Sequence, residues 1–315
     1  MTPSGAVSSF PPRRKRLVRC DFAGSHGFPS TTSRKDLVSS PDSRPRGKNT
    51  VLTFREMKRE GRPIVAMTAY DHLFARLLHE SGVDILLVGD SLGQVVLGLP
   101  STLPVTLDQM IHHAAAVRRG APEAFVVLDM PFLTYQVSPS EALRNAGRVM
   151  QETGVDAVKV EGGGKRVVEA VGRIVDAGIP VMGHVGLTPQ SVHALGGYRV
   201  QGRGREAADR LLEEAHALEA AGCFAVVLEL LPASLSRTVT DALSIPTIGI
   251  GAGPDCDGQV LVAYDALGLN ERFAPRFLKR FAHLAEAVRS GVSEYVQEVR
   301  SGAYPSAEHS FEDEA

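Results

Sequence analysis

The stretch Ile85-Leu86-Leu87-Val88-Gly89-Asp90 is a short apolar run that ends in a carboxylate. Runs of this kind recur along the chain and alternate with longer amphipathic stretches, which is the pattern of βα units repeated around a parallel sheet. Eight such runs are present, at residues 64–69, 85–89, 124–128, 157–160, 180–183, 225–228, 247–250 and 260–263. The sequence therefore predicts eight parallel strands.

Amphipathic stretches between these runs predict the connecting helices. They lie at residues 72–79, 107–119, 141–152, 166–177, 206–221 and 234–243, with a closing helix at 275–299. Only the seventh connection lacks a helical pattern. Several of the predicted helices end in a glycine suited to a left-handed C-terminal cap. These glycines are Gly82, Gly120, Gly154, Gly178 and Gly222.

Eight strands in about 265 residues match a (β/α)8 TIM barrel, whose typical length is about 250 residues. A doubly wound open sheet is the alternative. It requires a phosphate-binding glycine loop after the first strand, where this chain has Ala69-Tyr70-Asp71-His72 instead. We therefore expect one (β/α)8 catalytic domain at residues 51–310 and an acidic tail at residues 311–315.

Residues 1–50 differ in composition from the rest of the chain. They hold ten of the 34 Lys and Arg residues but three of the 36 Asp and Glu residues, and they are rich in Ser and Pro. Such a segment buries too little apolar surface to offset the entropy cost of ordering, so we expect a disordered basic extension. An organelle transit peptide and a translation start placed too far upstream remain open alternatives. Aromatic residues are not interleaved with the basic ones, which argues against nucleic-acid binding.

The three cysteines, Cys20, Cys223 and Cys256, form no C-x-x-C pair. Neither a disulfide framework nor a thiolate zinc site is therefore expected, and a reducing compartment fits best. No stretch approaches the roughly 18 uninterrupted apolar residues that a membrane-spanning helix needs. The sequence thus argues against an integral membrane protein.

Ionisable residues stand at or near the end of five predicted strands, and in a barrel they would line one mouth. They are Asp90, Asp129, Lys159 with Glu161, His184 and Glu229. A single charge after a strand usually caps a helix, so capping is the alternative role. Lys159 and Glu161 are two residues apart, which places both on the same face of a strand.

Four carboxylates at one mouth would repel each other unless a positive charge lies among them. Oxygen ligands without thiolates favour a hard cation such as Mg²⁺. Such a cation could chelate an α-keto acid and stabilise the negative charge on its keto oxygen, while a general base removes the adjacent C–H proton. These arguments do not choose which carboxylate is the base.

Several blocks of sequence carry a family signature. They include Met67-Thr68-Ala69-Tyr70-Asp71, Leu87-Val88-Gly89-Asp90-Ser91-Leu92-Gly93, Ser101-Thr102-Leu103-Pro104-Val105-Thr106, Asp129-Met130-Pro131-Phe132, Lys159-Val160-Glu161-Gly162-Gly163 and Leu187-Thr188-Pro189-Gln190-Ser191. Across roughly residues 50–310 the chain resembles the ketopantoate (3-methyl-2-oxobutanoate) hydroxymethyltransferase family. One departure is Gly98-Leu99-Pro100, where a polar or acidic residue is expected before Ser101.

The resemblance implies a Mg²⁺-dependent barrel of the phosphoenolpyruvate/pyruvate-like type. Its reaction would transfer a hydroxymethyl group from 5,10-methylenetetrahydrofolate to 3-methyl-2-oxobutanoate, giving 2-dehydropantoate for pantothenate and coenzyme A synthesis. It also implies a cytoplasmic homo-oligomer, commonly a decamer, with no nucleic-acid or membrane partner.

The resemblance also assigns roles to individual residues. The metal-binding carboxylates fall on Asp90, Asp129 and Glu161. The keto acid contacts fall on Asp90, Ser91, Asp129 and Lys159. The proton acceptor falls on Glu229, and His184 is a secondary candidate that contacts the substrate or holds a neighbour. Two competing hypotheses are a Schiff-base aldolase using Lys159 and a barrel without enzymatic activity.

Overall fold

A computed structural model describes residues 47–313 of the chain. Over this range the chain forms a closed barrel of eight parallel strands in sequence order. The strands are β1 Ile64–Thr68, β2 Ile85–Val88, β3 Phe125–Asp129, β4 Ala157–Lys159, β5 Val181–Gly186, β6 Ala225–Glu229, β7 Thr247–Ile250 and β8 Gly258–Leu261. The predicted (β/α)8 barrel is confirmed, and each predicted run contains or overlaps a strand. Most of the predicted extension, residues 1–46, and the end of the predicted tail, residues 314–315, lie outside the described residues.

Helices surround the barrel. They are α1 Val51–Glu60, α2 His72–Glu80, α3 Leu92–Val95, α4 Leu107–Gly120, α5 Pro139–Thr153, α6 Lys165–Asp176, α7 Arg205–Ala220, α8 Ala233–Ala242, α9 Ala263–Ala266 and α10 Leu284–Ser301. The connection from β7 to β8 has no helix, as predicted. The predicted start of the closing helix at residue 275 is wrong, because α10 begins at Leu284 and an irregular segment precedes it. None of the described helices is both long and apolar enough to cross a membrane.

Helix α1 was not predicted, and it closes the amino-terminal end of the barrel. The Thr50 side chain accepts a hydrogen bond from the Thr53 backbone, which is a stable way to begin a helix. Phe54 and Met57 are fully buried among side chains from the barrel interior. The Phe54 ring lies 4.9 Å from that of Phe125, the first residue of β3. With this end filled by apolar side chains, the opposite mouth is left for chemistry.

The predicted glycine caps are confirmed at four of five positions. Gly82, Gly154, Gly178 and Gly222 all have a positive φ angle. The prediction for Gly120 is wrong, since this residue is the last residue of α4 itself. A Cβ atom added to Gly120 would lie 2.1 Å from the carbonyl oxygen of His72. Glycine is needed here because it allows the end of α4 to approach the first turn of α2.

Candidate active site at the carboxyl ends of the strands

Three buried carboxylates meet at one mouth of the barrel. Asp129 is the last residue of β3, while Asp90 and Glu161 each follow a strand by two residues. One oxygen from each side chain lies within 4.8 Å of the others. All three residues are at most 5% exposed. The structure thus brings together the three carboxylates that the resemblance assigns to a metal.

Lys159 lies among these carboxylates because the sheet register pairs it with Asp129. Its Nζ atom donates hydrogen bonds to both carboxylate oxygens of Asp129 at 2.7 Å. It also lies 3.3 Å from Glu161 Oε1, as the two-residue spacing predicts. Burial opposes the charge on this lysine, but the surrounding carboxylates outweigh burial and raise its pKa. A lysine held as an ammonium is a poor nucleophile, which argues against a Schiff-base aldolase.

The turn after β2 places Asp90 and Ser91 at the edge of this cluster. A Cβ atom on Gly89 would lie 2.8 Å from Ser91 Oγ, so glycine leaves room for the hydroxyl. The hydroxyl groups of Ser91 and Tyr70 are 2.9 Å apart and share a hydrogen bond. Ser91 Oγ is thereby fixed beside Asp90, where it can donate to or accept from a ligand.

Gln190 connects two of the three carboxylates, and no role was predicted for it. Its side-chain Nε2 donates to Asp90 Oδ2 and to the Met130 carbonyl oxygen, each at 3.0 Å. Its Oε1 accepts from the Tyr135 hydroxyl at 2.7 Å. Its backbone N–H donates to Glu161 Oε2 at 3.0 Å. One buried amide therefore orients carboxylates that come from different strands.

The position of Gln190 offered a signal that the sequence analysis did not use. Gln190 belongs to the Leu187-Thr188-Pro189-Gln190-Ser191 block, directly after β5. An uncharged amide after a strand does not belong to the pattern of ionisable strand-end residues, so that pattern does not predict its role. Tyr135 was missed for the same reason, although its hydroxyl accepts the Glu161 backbone N–H at 2.9 Å.

His184 lies between two carboxylates inside the barrel. Its Nδ1 is 3.3 Å from Glu161 Oε1, and its Nε2 is 3.2 Å from Glu229 Oε2. Neither contact has the angles of a good hydrogen bond, so the attraction is mainly ionic. Burial and Lys159 lower the pKa of His184, but the two carboxylates outweigh them and raise it to about 9. The raised pKa favours the charged imidazole, which attracts both Glu161 and Glu229.

The carboxylates respond unequally to burial. Burial raises the pKa of Asp90 well above its usual range, and the nearby Asp129 and Glu161 raise it further. Burial also raises the pKa of Asp129, although Lys159 opposes this effect. At Glu161 burial is outweighed by Lys159 and His184, which lower the pKa to about 2. The negative charge of the three carboxylates exceeds the positive charge of Lys159 and His184, and the pKa of Asp90 is affected most.

A cavity of about 480 Å³ opens above this cluster. Asp90, Asp129, Lys159 and Glu161 line its inner end, and Glu229 lines it from β6. The Glu229 side chain is 17% exposed, so it is the most accessible carboxylate of the group. A further buried hydroxyl, Thr102 Oγ1, also lines the cavity and has no hydrogen-bond partner among the described residues.

The helix-capping alternative is wrong for these carboxylates. The helices after β2, β3, β4 and β6 have Ser91, Ser138, Gly164 and Pro232 at their N-cap positions, and none of these four residues is acidic. The sequence departure at Leu99 also leaves the cluster intact. Leu99 packs against the apolar core, and its backbone N–H bonds to the Gly93 carbonyl oxygen at 2.7 Å.

Comparison with known sequences gives matches along nearly the whole described chain. The sequence model of the ketopantoate hydroxymethyltransferase family matches residues 48–307. The 3-methyl-2-oxobutanoate hydroxymethyltransferase of Heliobacterium modesticaldum is 56% identical over 264 residues, which cover 84% of this chain and 95% of that protein. The enzyme of the same name from Syntrophus aciditrophicus is 55% identical, covering 84% of this chain and 97% of that protein.

Comparison with solved structures gives the same architecture at low sequence identity. A phosphonopyruvate hydrolase, solved in complex with oxalate and Mg²⁺, is 13% identical with a TM-score of 0.55 and covers 84% of this chain and 93% of that one. A 2,3-dimethylmalate lyase of the PEP mutase/isocitrate lyase superfamily is 17% identical with a TM-score of 0.52, covering 83% of this chain and 91% of that one. These likenesses support the fold.

Proposed function

Because this chain belongs to the ketopantoate hydroxymethyltransferase family, we propose that it makes 2-dehydropantoate from 3-methyl-2-oxobutanoate and 5,10-methylenetetrahydrofolate. Water supplies the hydroxyl oxygen, and tetrahydrofolate is released. The observation that carries this proposal is the buried cluster of three carboxylates and Lys159 that faces Glu229 in one cavity. The product would serve pantothenate and coenzyme A synthesis. We also propose a cytoplasmic homo-oligomer, a decamer by family resemblance.

The carboxylate cluster suits a hard divalent cation, which we propose to be Mg²⁺. All donor atoms are oxygens, and ligand oxygens around an octahedral Mg²⁺ lie roughly 3–4 Å apart. Ligand atoms within 4.8 Å of one another approach that spacing with small side-chain movements. Asp90, Asp129 and Glu161 would hold the ion. When bound, it would supply Lewis-acid stabilisation of negative charge on the keto oxygen.

Lys159 and Ser91 would orient the keto acid beside the carboxylates. The Lys159 ammonium is a fixed positive charge that attracts the anionic substrate to the inner end of the cavity. The Ser91 hydroxyl is positioned by Tyr70 and can donate a hydrogen bond to a substrate oxygen. The surrounding barrel residues exclude bulk water, which strengthens both interactions.

Glu229 would act as the general base. It ends β6, on the opposite side of the barrel from β2, and it reaches into the same cavity. It takes the proton from C3 of the keto acid, and the electrons of the broken C–H bond form a C2–C3 double bond. Negative charge moves to the keto oxygen as this double bond forms. C3 then forms the new bond to the one-carbon unit, whose two bonds to folate nitrogens are replaced by this C–C bond and by a bond to the oxygen of water. The proton taken from C3 and one proton of the water end on the two nitrogens of the released tetrahydrofolate. His184 would hold Glu229 at the angle that this transfer requires.

The test is formation of 2-dehydropantoate with and without methylenetetrahydrofolate, and with and without Mg²⁺ after treatment with EDTA. Glu229→Gln should lower turnover by about 100-fold or more while retaining keto acid binding. Glu213→Gln, on the exposed side of α7, is the matched control and should keep full activity. Activity that resists EDTA, or turnover of Glu229→Gln within tenfold of the wild type, would overturn the proposal.

A further inference from the structure

The cavity has an outer part that the keto acid chemistry does not use. Its wall is formed by the segment after β8, which includes α9 and the irregular residues before α10. Asp265, Asn270, Phe273 and Phe277 from this segment all line the cavity. A buried carboxylate, an amide and two aromatic rings thus face the same space as the carboxylate cluster.

Asp265 is the notable member of this group because it is 4% exposed and its charge has no ion-pair partner among the described residues. Its Oδ1 accepts a hydrogen bond from Asn270 Nδ2 at 2.8 Å. Its Oδ2 has no hydrogen-bond partner within the part of the chain that the structure describes. Burial raises the pKa of Asp265, while the bond from Asn270 and the more distant charge of Arg280 lower it. A purely structural role would explain the contact to Asn270 but leaves the second oxygen unused.

The ligand chemistry that completes this group is a planar heterocycle with two adjacent N–H donors. A carboxylate accepts two parallel hydrogen bonds from such an edge, and each of its oxygens has two lone pairs. Oδ1 of Asp265 therefore keeps one lone pair free beside the bond from Asn270. The 2-amino-4-oxopyrimidine ring of a pterin presents these two donors as its N3–H and 2-amino groups.

The aromatic side chains suit the faces of the same heterocycle. Gly251 leaves room for the Phe277 ring, since a Cβ atom at this position would lie 3.1 Å from it. Phe273 is 45% exposed, so part of its ring is free to contact a ligand. Aromatic rings pack favourably on flat heterocycles in an offset or edge-on arrangement.

We propose that Asp265 and Asn270 bind the 2-amino-4-oxopyrimidine edge of the folate co-substrate, with Phe273 and Phe277 against the pterin faces. This assignment rests on the proposed function, since it names where that reaction holds its one-carbon donor. The keto acid then occupies the inner end of the cavity, and the pterin enters from the outer part. The one-carbon unit comes to lie between them, within reach of C3 of the keto acid.

Charge at the rim of the cavity is consistent with this direction of entry. Arg276 lines the rim, is exposed and makes no ion pair with any described residue. The glutamate tail of a folate carries carboxylates that extend away from the pterin. With the pterin inside, the tail passes the rim, where an unpaired guanidinium can bind a carboxylate.

The principal test is Asp265→Asn, which keeps the shape of the side chain and removes its charge. We expect the KM for methylenetetrahydrofolate to rise about 10- to 100-fold, since a charge-assisted hydrogen-bonded pair is lost. The KM for 3-methyl-2-oxobutanoate should change by less than about twofold. Asp255→Asn is the matched control, because Asp255 follows the neighbouring strand β7 but does not line the cavity. A folate KM within twofold of the wild type in Asp265→Asn would overturn the inference.

Competition by two free heterocycles separates recognition from general damage. Pterin has a 2-amino group, whereas lumazine has a 2-oxo group that cannot donate to a carboxylate. The wild type should bind pterin more tightly than lumazine, and Asp265→Asn should lose or reverse this preference because its amide offers one donor and one acceptor. An unchanged preference in the variant would contradict the assignment.

A second variant, Phe273→Leu, tests the same site in case Asp265→Asn does not fold. Its side chain is half exposed, so the fold should tolerate the change. The folate KM should rise about three- to tenfold through loss of ring packing, and no change would argue against the assignment. The proposed function is tested separately on the wild type. If the wild type forms no 2-dehydropantoate the proposed function fails, whereas product formation with an unaltered folate KM in Asp265→Asn overturns the pterin site alone.

Discussion

Replacing Gln190 with alanine should weaken binding of Mg²⁺ without touching a proposed ligand of the metal. The wild-type amide makes four hydrogen bonds, to Asp90 Oδ2 and Met130 O at 3.0 Å each, and from the Tyr135 hydroxyl at 2.7 Å and Gln136 Nε2 at 3.1 Å. Alanine removes all four bonds. It keeps the backbone N–H that donates to Glu161, so the effect should act mainly through Asp90.

The size of the effect depends on which partners of Gln190 can form another hydrogen bond in the variant. The Tyr135 hydroxyl also lies 3.3 Å from the Glu161 carbonyl oxygen, and the half-buried Gln136 can turn toward water. Asp90 and the Met130 carbonyl are buried and have no such alternative. Loss of a group that orients a metal ligand typically lowers metal affinity 10- to 100-fold. Two weakened buried acceptors should also lower the free energy of unfolding by about 2 kcal/mol.

Isothermal titration calorimetry of the metal-free protein with Mg²⁺ measures the affinity, and a urea titration measures stability. Gln136→Ala is the matched control, because its side chain bonds to Gln190 but to no carboxylate of the cluster. We expect this control to change the Kd by less than about threefold. If folded Gln190→Ala binds Mg²⁺ within twofold of the wild type, Gln190 does not orient the carboxylates and our reasoning is wrong.

Three further predictions address stability and charge. Gly120→Ala places a Cβ atom 2.1 Å from a carbonyl oxygen and should lower the free energy of unfolding by about 1–3 kcal/mol. Gly147 lies in the middle of α5 with open space around it, so Gly147→Ala should raise the free energy of unfolding by about 0.5–1 kcal/mol. Equal melting temperatures for the two variants would contradict this prediction. Burial raises the pKa of Glu219, but three hydrogen bonds that it accepts from residues 244 and 245 outweigh burial and lower the pKa below the unfolded value. The stabilisation by ionised Glu219 is therefore present above the unfolded pKa and is lost as the pH falls through the lower folded pKa. The unfolding free energies of the wild type and Glu219→Gln should converge in acid. A difference between them that persists in acid would refute this prediction. Lys159→Met should weaken keto acid binding about 10- to 100-fold yet strengthen Mg²⁺ binding, because it removes a competing cation; calorimetry showing both affinities falling would refute this explanation.

The strand-end residues could be predicted from the sequence because two regularities fix their positions. Parallel strands of a barrel end at the same mouth, and alternate residues of a strand face the same side. Asp129 and Lys159 therefore become neighbours in register, and Lys159 and Glu161 share a face. Neither regularity depends on the details of packing, so the pattern of apolar runs was sufficient.

Features that depend on long-range packing could not be predicted in the same way. Helix α1 is defined by Phe54 and Met57 filling the end of the barrel, a contact that no local pattern reveals. Gly120 resembled a helix cap, but its role depends on the approach of His72 from another helix. Residues 275–283 were predicted to begin the closing helix, yet Phe277 lies against the cavity and the segment before Leu284 is irregular.

The formal charges of the inner cluster, three carboxylates and one lysine, do not balance. Asp90, Asp129 and Glu161 against Lys159 leave two negative charges, and a buried excess of charge is unstable unless it is paired. His184 lies 3.3 Å from Glu161 and 3.2 Å from Glu229, so adding a charged His184 together with Glu229 leaves the total at two negative charges. A divalent cation would neutralise the remaining two charges, whereas a monovalent ion would leave one. Burial raises the pKa of Asp90, and the neighbouring Asp129 and Glu161 raise it further, as expected where negative charge exceeds positive charge. The count of buried charges therefore supports the proposed divalent ion, as the oxygen donors do.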